Sequence, residues 1–117
     1  MKYTKKYVDY VTNELLKDVA GVRARAMFGG YGLYKDDTIF ACVINDKVYY
    51  KVGESNMTEY VKAKSKPFTY KSNGKEYAMS YWLVPKKVLS SPKLLKEWTK
   101  KAVAVAVEAR KVKRKRA

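Results

Sequence analysis

The sequence predicts an α+β domain. An antiparallel sheet, built from a three- to four-stranded meander plus a hairpin, is covered by N- and C-terminal helices. Three observations carry this. Apolar residues recur at helical spacing near both ends of the chain. Between them lie short β-rich runs separated by the turn signals Asp36-Asp37, Asn45-Asp46 and Asn73-Gly74. The block Arg25-Ala26-Met27-Phe28-Gly29-Gly30-Tyr31-Gly32-Leu33-Tyr34 then sets three glycines among apolar and aromatic residues, which suits two short strands bent or joined at the glycines.

The elements follow in order. Tyr7, Val8, Val11, Leu15, Leu16 and Val19 share one helical face opposite Lys5, Lys6, Asp9, Asn13, Glu14 and Lys17, so the spacing predicts an amphipathic helix that stops near Gly21. Residues 22–27 alternate Val22/Ala24/Ala26 with Arg23/Arg25/Met27, the pattern of a half-buried strand. Residues 39–44 are apolar on both sides of the pleat and read as a central strand covered on both faces. Residues 23–52 thus form a meander. Asn56, with Glu59 three residues on, has capping-box spacing for a short helix to about Lys64. Asn73-Gly74 joins two β-rich runs and is the strongest hairpin signal present. Ser91-Pro92 opens a last helix, with Leu95, Trp98, Ala102, Val105, Ala109 and Val112 on one stripe, running to about Lys111. The expected division is one domain over residues 1–109 and a basic, disordered tail over 110–117.

Composition narrows the chemistry. The 117 residues hold 26 basic and 11 acidic side chains, a net charge of +15. Six of the cations lie in residues 110–116, so the body is basic as well. Such a balance favours contact with polyanions. Most of the cations are lysines, however, which also serve as a plain solvated surface. There is no histidine, which removes the commonest general base and metal ligand. The one cysteine, Cys42, sits in the apolar run and reads as a small buried hydrophobe in a reducing compartment. Asp36, Asp37 and Asp46 read as turn formers. The glycine block is not followed by a helix, so it lacks the amide cluster of a phosphate cradle. The N-terminus lacks the apolar segment of a signal peptide, and no run is long enough to span a bilayer. Cytoplasmic location, no metal and no cofactor are the expectations.

Two features leave binding open. Arg23 and Arg25 share a strand face, where they either hold an anion or meet carboxylates across the sheet. Eleven tyrosines either pack and form interfaces or stack bases between lysines.

Arg25-x-Met27-Phe28-Gly29-Gly30-x-Gly32-x-Tyr34, followed by Phe40-Ala41, residues 48–52, Pro67-Phe68-x-Tyr70, Met79-Ser80-Tyr81 and Trp98, resembles the TfoX N-terminal domain family over residues from about Tyr7 to Ala109. The resemblance implies a secretion-chaperone-like α+β fold, α-β(3-4)-α-β(2)-α in outline. It also implies a link to regulation of natural competence, a role known from proteins that carry a second, C-terminal domain. The family has no established catalytic residues. The motif positions Arg25, Met27, Phe28, Gly29, Gly30, Gly32, Tyr34, Met79, Ser80 and Tyr81 are therefore structural or interaction residues.

The expectation that follows is a non-enzymatic regulatory or adaptor domain with a protein partner, a homodimer included. The alternative is a nucleic-acid-binding accessory protein. It would use Arg23, Arg25, Lys100, Lys101 and Arg110, together with Lys111, Lys113, Arg114, Lys115 and Arg116 of the tail. A third reading, a small-ligand binder, needs a pocket beside the glycine bend.

Overall fold

Six strands, β1 (Val22–Met27), β2 (Gly30–Lys35), β3 (Thr38–Ile44), β4 (Lys47–Lys51), β5 (Pro67–Ser72) and β6 (Lys75–Leu83), form one antiparallel sheet in the order β1-β2-β3-β4-β6-β5. The computed structural model describes residues 5–27 and 30–116, with side chains described through Val112. Asn45 and Asp46 both take positive φ (54° and 57°), as do Asn73 and Gly74 (52° and 77°). Paired positive φ defines the tight turn whose twist matches two antiparallel strands, which is why these dipeptides close the β3–β4 and β5–β6 hairpins.

Helices α1 (Lys5–Tyr10), α2 (Met57–Lys62), α3 (Lys86–Leu89) and α4 (Pro92–Arg116) send their buried residues into one cluster with the sheet. Val8, Tyr60, Val88 and Leu95 from the helices meet Leu33, Val43, Val48 and Tyr50 from the strands. Tyr50 reaches α4 through a hydroxyl–hydroxyl hydrogen bond of 2.6 Å to Thr99. The ring of Tyr60 lies 4.5 Å from that of Trp98 and 6.4 Å from that of Trp82. All four helices thus lie on one face of the sheet.

The expectation that residues 39–44 are covered on both faces is corrected here. Leu33 pairs with Ala41 but Tyr34 pairs with Ile39, so β3 carries one extra residue at Phe40. A bulge of this kind turns two successive side chains toward one side. Phe40 and Ala41 are both fully buried on the helix face, and the alternation then resumes with Val43. The run reads as apolar on both sides because the bulge shifts its phase, while helices cover only one side.

Three smaller differences have local causes. The first helix changes to a π-helical turn over Val11–Leu15 and ends there, with the Leu16 N–H donating to the Val11 carbonyl at 2.9 Å, five residues before Gly21. Asn56 does not cap α2. Its Oδ1 accepts from the Gly53 N–H at 2.8 Å and its Nδ2 donates to the Lys51 carbonyl at 3.1 Å, so it holds the loop leaving β4. The backbone of α4 is helical through Arg116 rather than to Lys111. Its inner stripe shifts from Ala102 to Ala106, leaving Ala109 and Val112 exposed where the helix runs past the sheet.

Candidate interaction face

The side of the sheet that faces away from the helices gathers most of the motif residues. Cross-strand register lines up Arg25, Gly32, Cys42, Tyr49 and Leu83 in one row from β1 to β6. Flanking rows add Arg23, Tyr34 and Ile39 on one side, and Met27, Gly30, Ile44 and Lys47 on the other. Successive strand residues point to opposite faces, so these residues share the face that Leu33, Val43 and Tyr50 do not. Lys51 and Tyr81, paired across β4 and β6, complete it.

The glycines explain how the face is shaped. A Cβ at Gly32 would lie 2.5 Å from the Met27 sulfur, 2.8 Å from Ile39 Cδ1 and 3.3 Å from a Tyr34 ring carbon. A Cβ at Gly30 would lie 2.5 Å from the backbone oxygen of Val43. The bare glycine surface is thus what lets Met27 and Tyr34 fold flat across β2. Phe28 and Gly29, at the β1–β2 junction, lie outside the described residues.

Over this floor stands an aromatic and cationic layer. The Arg25 guanidinium lies 5.8 Å from the Tyr34 ring centroid, and the Lys51 ammonium lies 5.2 Å from that of Tyr81. Lys51 also donates to the Ser80 hydroxyl at 2.6 Å. Tyr49 meets Phe68 of β5 edge-on at 5.3 Å. Burial pushes the Cys42 thiol up to about 12. Burial, then the neighbouring Cys42 and Tyr34, push the Tyr81 hydroxyl up to about 12. Tyr49 rises too, through burial first and Cys42 second. The thiol and both hydroxyls therefore stay neutral at physiological pH. The raised thiol disfavours a thiolate, but Cys42 is partly buried on the open face rather than fully buried as expected, because the helices cover the other side of β3.

The β5–β6 hairpin extends the layer. β4 pairs with β6 only from Tyr81 to Leu83, so residues 69–79 of the β5–β6 hairpin project beyond β4 and are exposed throughout. Phe68 and Tyr70 share a face of β5, and Tyr77 stacks on Tyr70 with centroids 5.6 Å apart. Tyr70, Tyr77 and Met79 are 47%, 44% and 39% exposed. Across all six strands Glu76 is the one carboxylate, and as the neighbour of Tyr77 it points to the other side.

The expected nucleic-acid residues are not brought together. Arg25 lies on the open face, and Arg23 beside it is paired with Asp37 at 3.5 Å. Lys100 and Lys111 are exposed on α4, on the opposite side of the molecule. Lys101 pairs with Glu59 at 2.7 Å. Arg110 donates to the Asp37 carbonyl at 3.0 Å and the Thr38 hydroxyl at 2.9 Å, tying α4 to the β2–β3 turn. The side chains of Lys113, Arg114, Lys115 and Arg116 lie outside the described residues.

Among the described residues, a groove of about 270 Å³ runs between the first helix and α3–α4, lined by Tyr10, Leu15, Val19, Leu89, Pro92 and Leu95. A smaller one of about 120 Å³ lies by Thr38, Val107, Arg110 and Lys111. Neither borders Gly30 or Gly32. No helix among these residues is long and apolar enough to cross a membrane.

Sequence reasoning missed Lys47, Tyr49, Lys51 and Phe68 as members of one surface. The available signal was the scarcity of carboxylates in the β-rich runs, where Glu76 stands alone, together with period-two placement of Tyr77, Met79 and Tyr81.

The model of the TfoX N-terminal domain matches residues 14–106. Protein Sxy of Escherichia coli (strain K12) is 32% identical over 75 residues, covering 64% of this chain. That stretch is 36% of Sxy, so the chain spans about a third of the length of this curated relative.

Proposed function

The chain belongs to the TfoX N-terminal domain family, and from that premise we propose that it is a non-enzymatic regulatory domain, allied to competence control, that works through contacts with protein partners. The observation that carries this reading is the family match over residues 14–106. The exposed hairpin supports it, since Tyr70, Tyr77 and Met79 are side chains of the kind that anchor protein interfaces. In this reading residues 1–109 act as one cytoplasmic domain, alone or as a homodimer, with 110–117 as a basic extension. The test is deletion of the gene in its own host, with complementation by the wild type or by a Tyr70→Ser/Tyr77→Ser variant. Loss of a defined set of transcripts, restored by the wild type and not by the variant, is the expected result. An unchanged transcript profile on deletion overturns the regulatory reading.

A second reading, contact with nucleic acid, is favoured by one observation. The chain carries a net charge of +15, and its described cations lie on both sides of the molecule, from Arg25, Lys47 and Lys51 on the open face to Lys100 and Lys111 on α4. Its test is the salt dependence of oligonucleotide binding.

A further inference from the structure

We propose that the open face of the sheet is a platform for single-stranded nucleic acid, with unpaired bases stacking on its rings and phosphates meeting its cations. This rests on the nucleic-acid reading and assigns that reading a surface and a ligand class; it does not depend on the regulatory one. Three features point the same way. Tyr34, Tyr49 and Tyr81 are partly exposed on one face, and Tyr70 and Tyr77 continue it along the projecting hairpin. Arg25 and Lys51 lie 5.8 and 5.2 Å from the Tyr34 and Tyr81 ring centroids, so rings and cations share one surface, where a base can stack on the planar guanidinium or displace the cation toward a phosphate. Finally, the strands carry no carboxylate on this side.

That last feature discriminates between occupants. A second copy of the chain, docked face to face about a two-fold axis, would bring the strands that carry Arg25 and Lys47 against strands that are equally cationic and carry no carboxylate on this side. Duplex DNA offers phosphates, but its bases are already stacked and hidden from flat rings. An unpaired strand offers both, and stacking tolerates any base because each has a π face. The cationic side of α4 lacks such rings: among its exposed described residues, the large side chains are lysines, glutamates, an arginine and Val112.

The experiment measures binding of the full chain to labelled oligo-dT, oligo-U and a duplex of equal length, against salt. Expected are tighter binding to single strands than to duplex and a log–log salt slope of roughly −2, at about −0.7 per phosphate neutralised by three cations. Tyr70→Leu/Tyr77→Leu, placed on exposed positions so that folding is spared, should weaken single-strand binding by about tenfold or more, whereas Lys100→Ala on α4 should change it little. Ultraviolet cross-linking of the unaltered protein, mapped by mass spectrometry, should mark Tyr49, Tyr77 or Tyr81 and needs no variant.

Equal binding to duplex, or cross-links confined to α4, overturns the platform while leaving general nucleic-acid binding in place. An absence of binding at low salt overturns both. Binding of polyglutamate as tight as that of oligo-dT, unaffected by ring replacement, overturns the platform in favour of an acidic partner. A dimer in solution that the same ring variants dissociate assigns the face to a second copy and overturns it as well.

Discussion

Two buried tyrosines separate the value of a hydroxyl from that of a ring. Tyr50 shares its hydroxyl with Thr99 at 2.6 Å, and both residues are essentially fully buried. Tyr60 is 1% exposed, and its hydroxyl has no hydrogen-bond partner among the described residues. Burying a polar group without a partner costs free energy, and orphaning a buried partner costs more than removing both. Tyr50→Phe should therefore destabilise by about 1–2 kcal/mol, since it strands the Thr99 hydroxyl, whereas Tyr60→Phe should be neutral or slightly stabilising. Urea titrations of the two variants check this; equal losses would contradict it. Residue-level reading of the sequence reached Tyr60 only as one of eleven tyrosines, and Trp98 as a position on the last helix's apolar stripe and in the family motif. It read Asn56 as a helix cap because spacing reports which residue precedes a helix and says nothing about whether its amide turns forward or back.

At the scale of elements, Arg110 hydrogen-bonds α4 to the β2–β3 turn. Arg110 holds the Asp37 carbonyl and the Thr38 hydroxyl from the far half of a helix of 25 residues, beyond Ala106, the last buried residue among those described. Arg110→Ala should cost about 1 kcal/mol or less, because the site is largely exposed and solvent replaces the lost bonds. Its clearer effect should be local: amide exchange in residues 107–116 should quicken while β3 and β4 stay protected. Unchanged exchange there would mean that helix propensity alone holds the end of α4.

Elements marked by strong local chemistry were legible in advance. The hairpins at Asn45-Asp46 and Asn73-Gly74 and the Ser91-Pro92 helix start each depend on a few neighbouring residues. Lys86–Leu89 was not legible, because a helix of four residues with Val88 as its buried contact is too short to show a period. The bulge at Phe40 was hidden for a related reason. It is set by which residues β2 presents across the ladder, and a run apolar on both sides looks the same with or without it.

For the whole molecule, the open face couples stability to alkaline pH. Cys42 rises from 9.0 to about 12, and Tyr81 from 10.0 to about 12, chiefly through burial. Both groups become charged on losing a proton, so the folded chain keeps its protons to higher pH than the unfolded one. Their contribution is fully present below pH 9.0 and is lost as pH rises from 9.0 toward 12. The thermal midpoint should accordingly stay level from neutral pH to about 9 and fall beyond it, with a smaller fall in Cys42→Ala. A midpoint that falls equally in the two proteins would show that the thiol is not part of the linkage. Of the candidate face, the glycine block and Tyr81 were visible in the sequence as motif residues, whereas their union with Tyr49 and Lys51 was not. That union depends on the β4–β6 pairing, which joins residues 30 positions or more apart.

The strand order also sets a timetable for the chain as it leaves the ribosome. The four strands of the meander are neighbours in sequence and can pair as soon as they emerge. The helix that packs on β3 and β4 is made after every strand, so although the first helix is already at hand, the part of the young sheet's inner surface around Tyr50 stays bare until Leu95, Trp98 and Thr99 follow. Over that interval the nascent protein shows water a broad apolar surface that the finished one never displays, and it is then, rather than after release, that the chain is most exposed to chaperones and to its own neighbours.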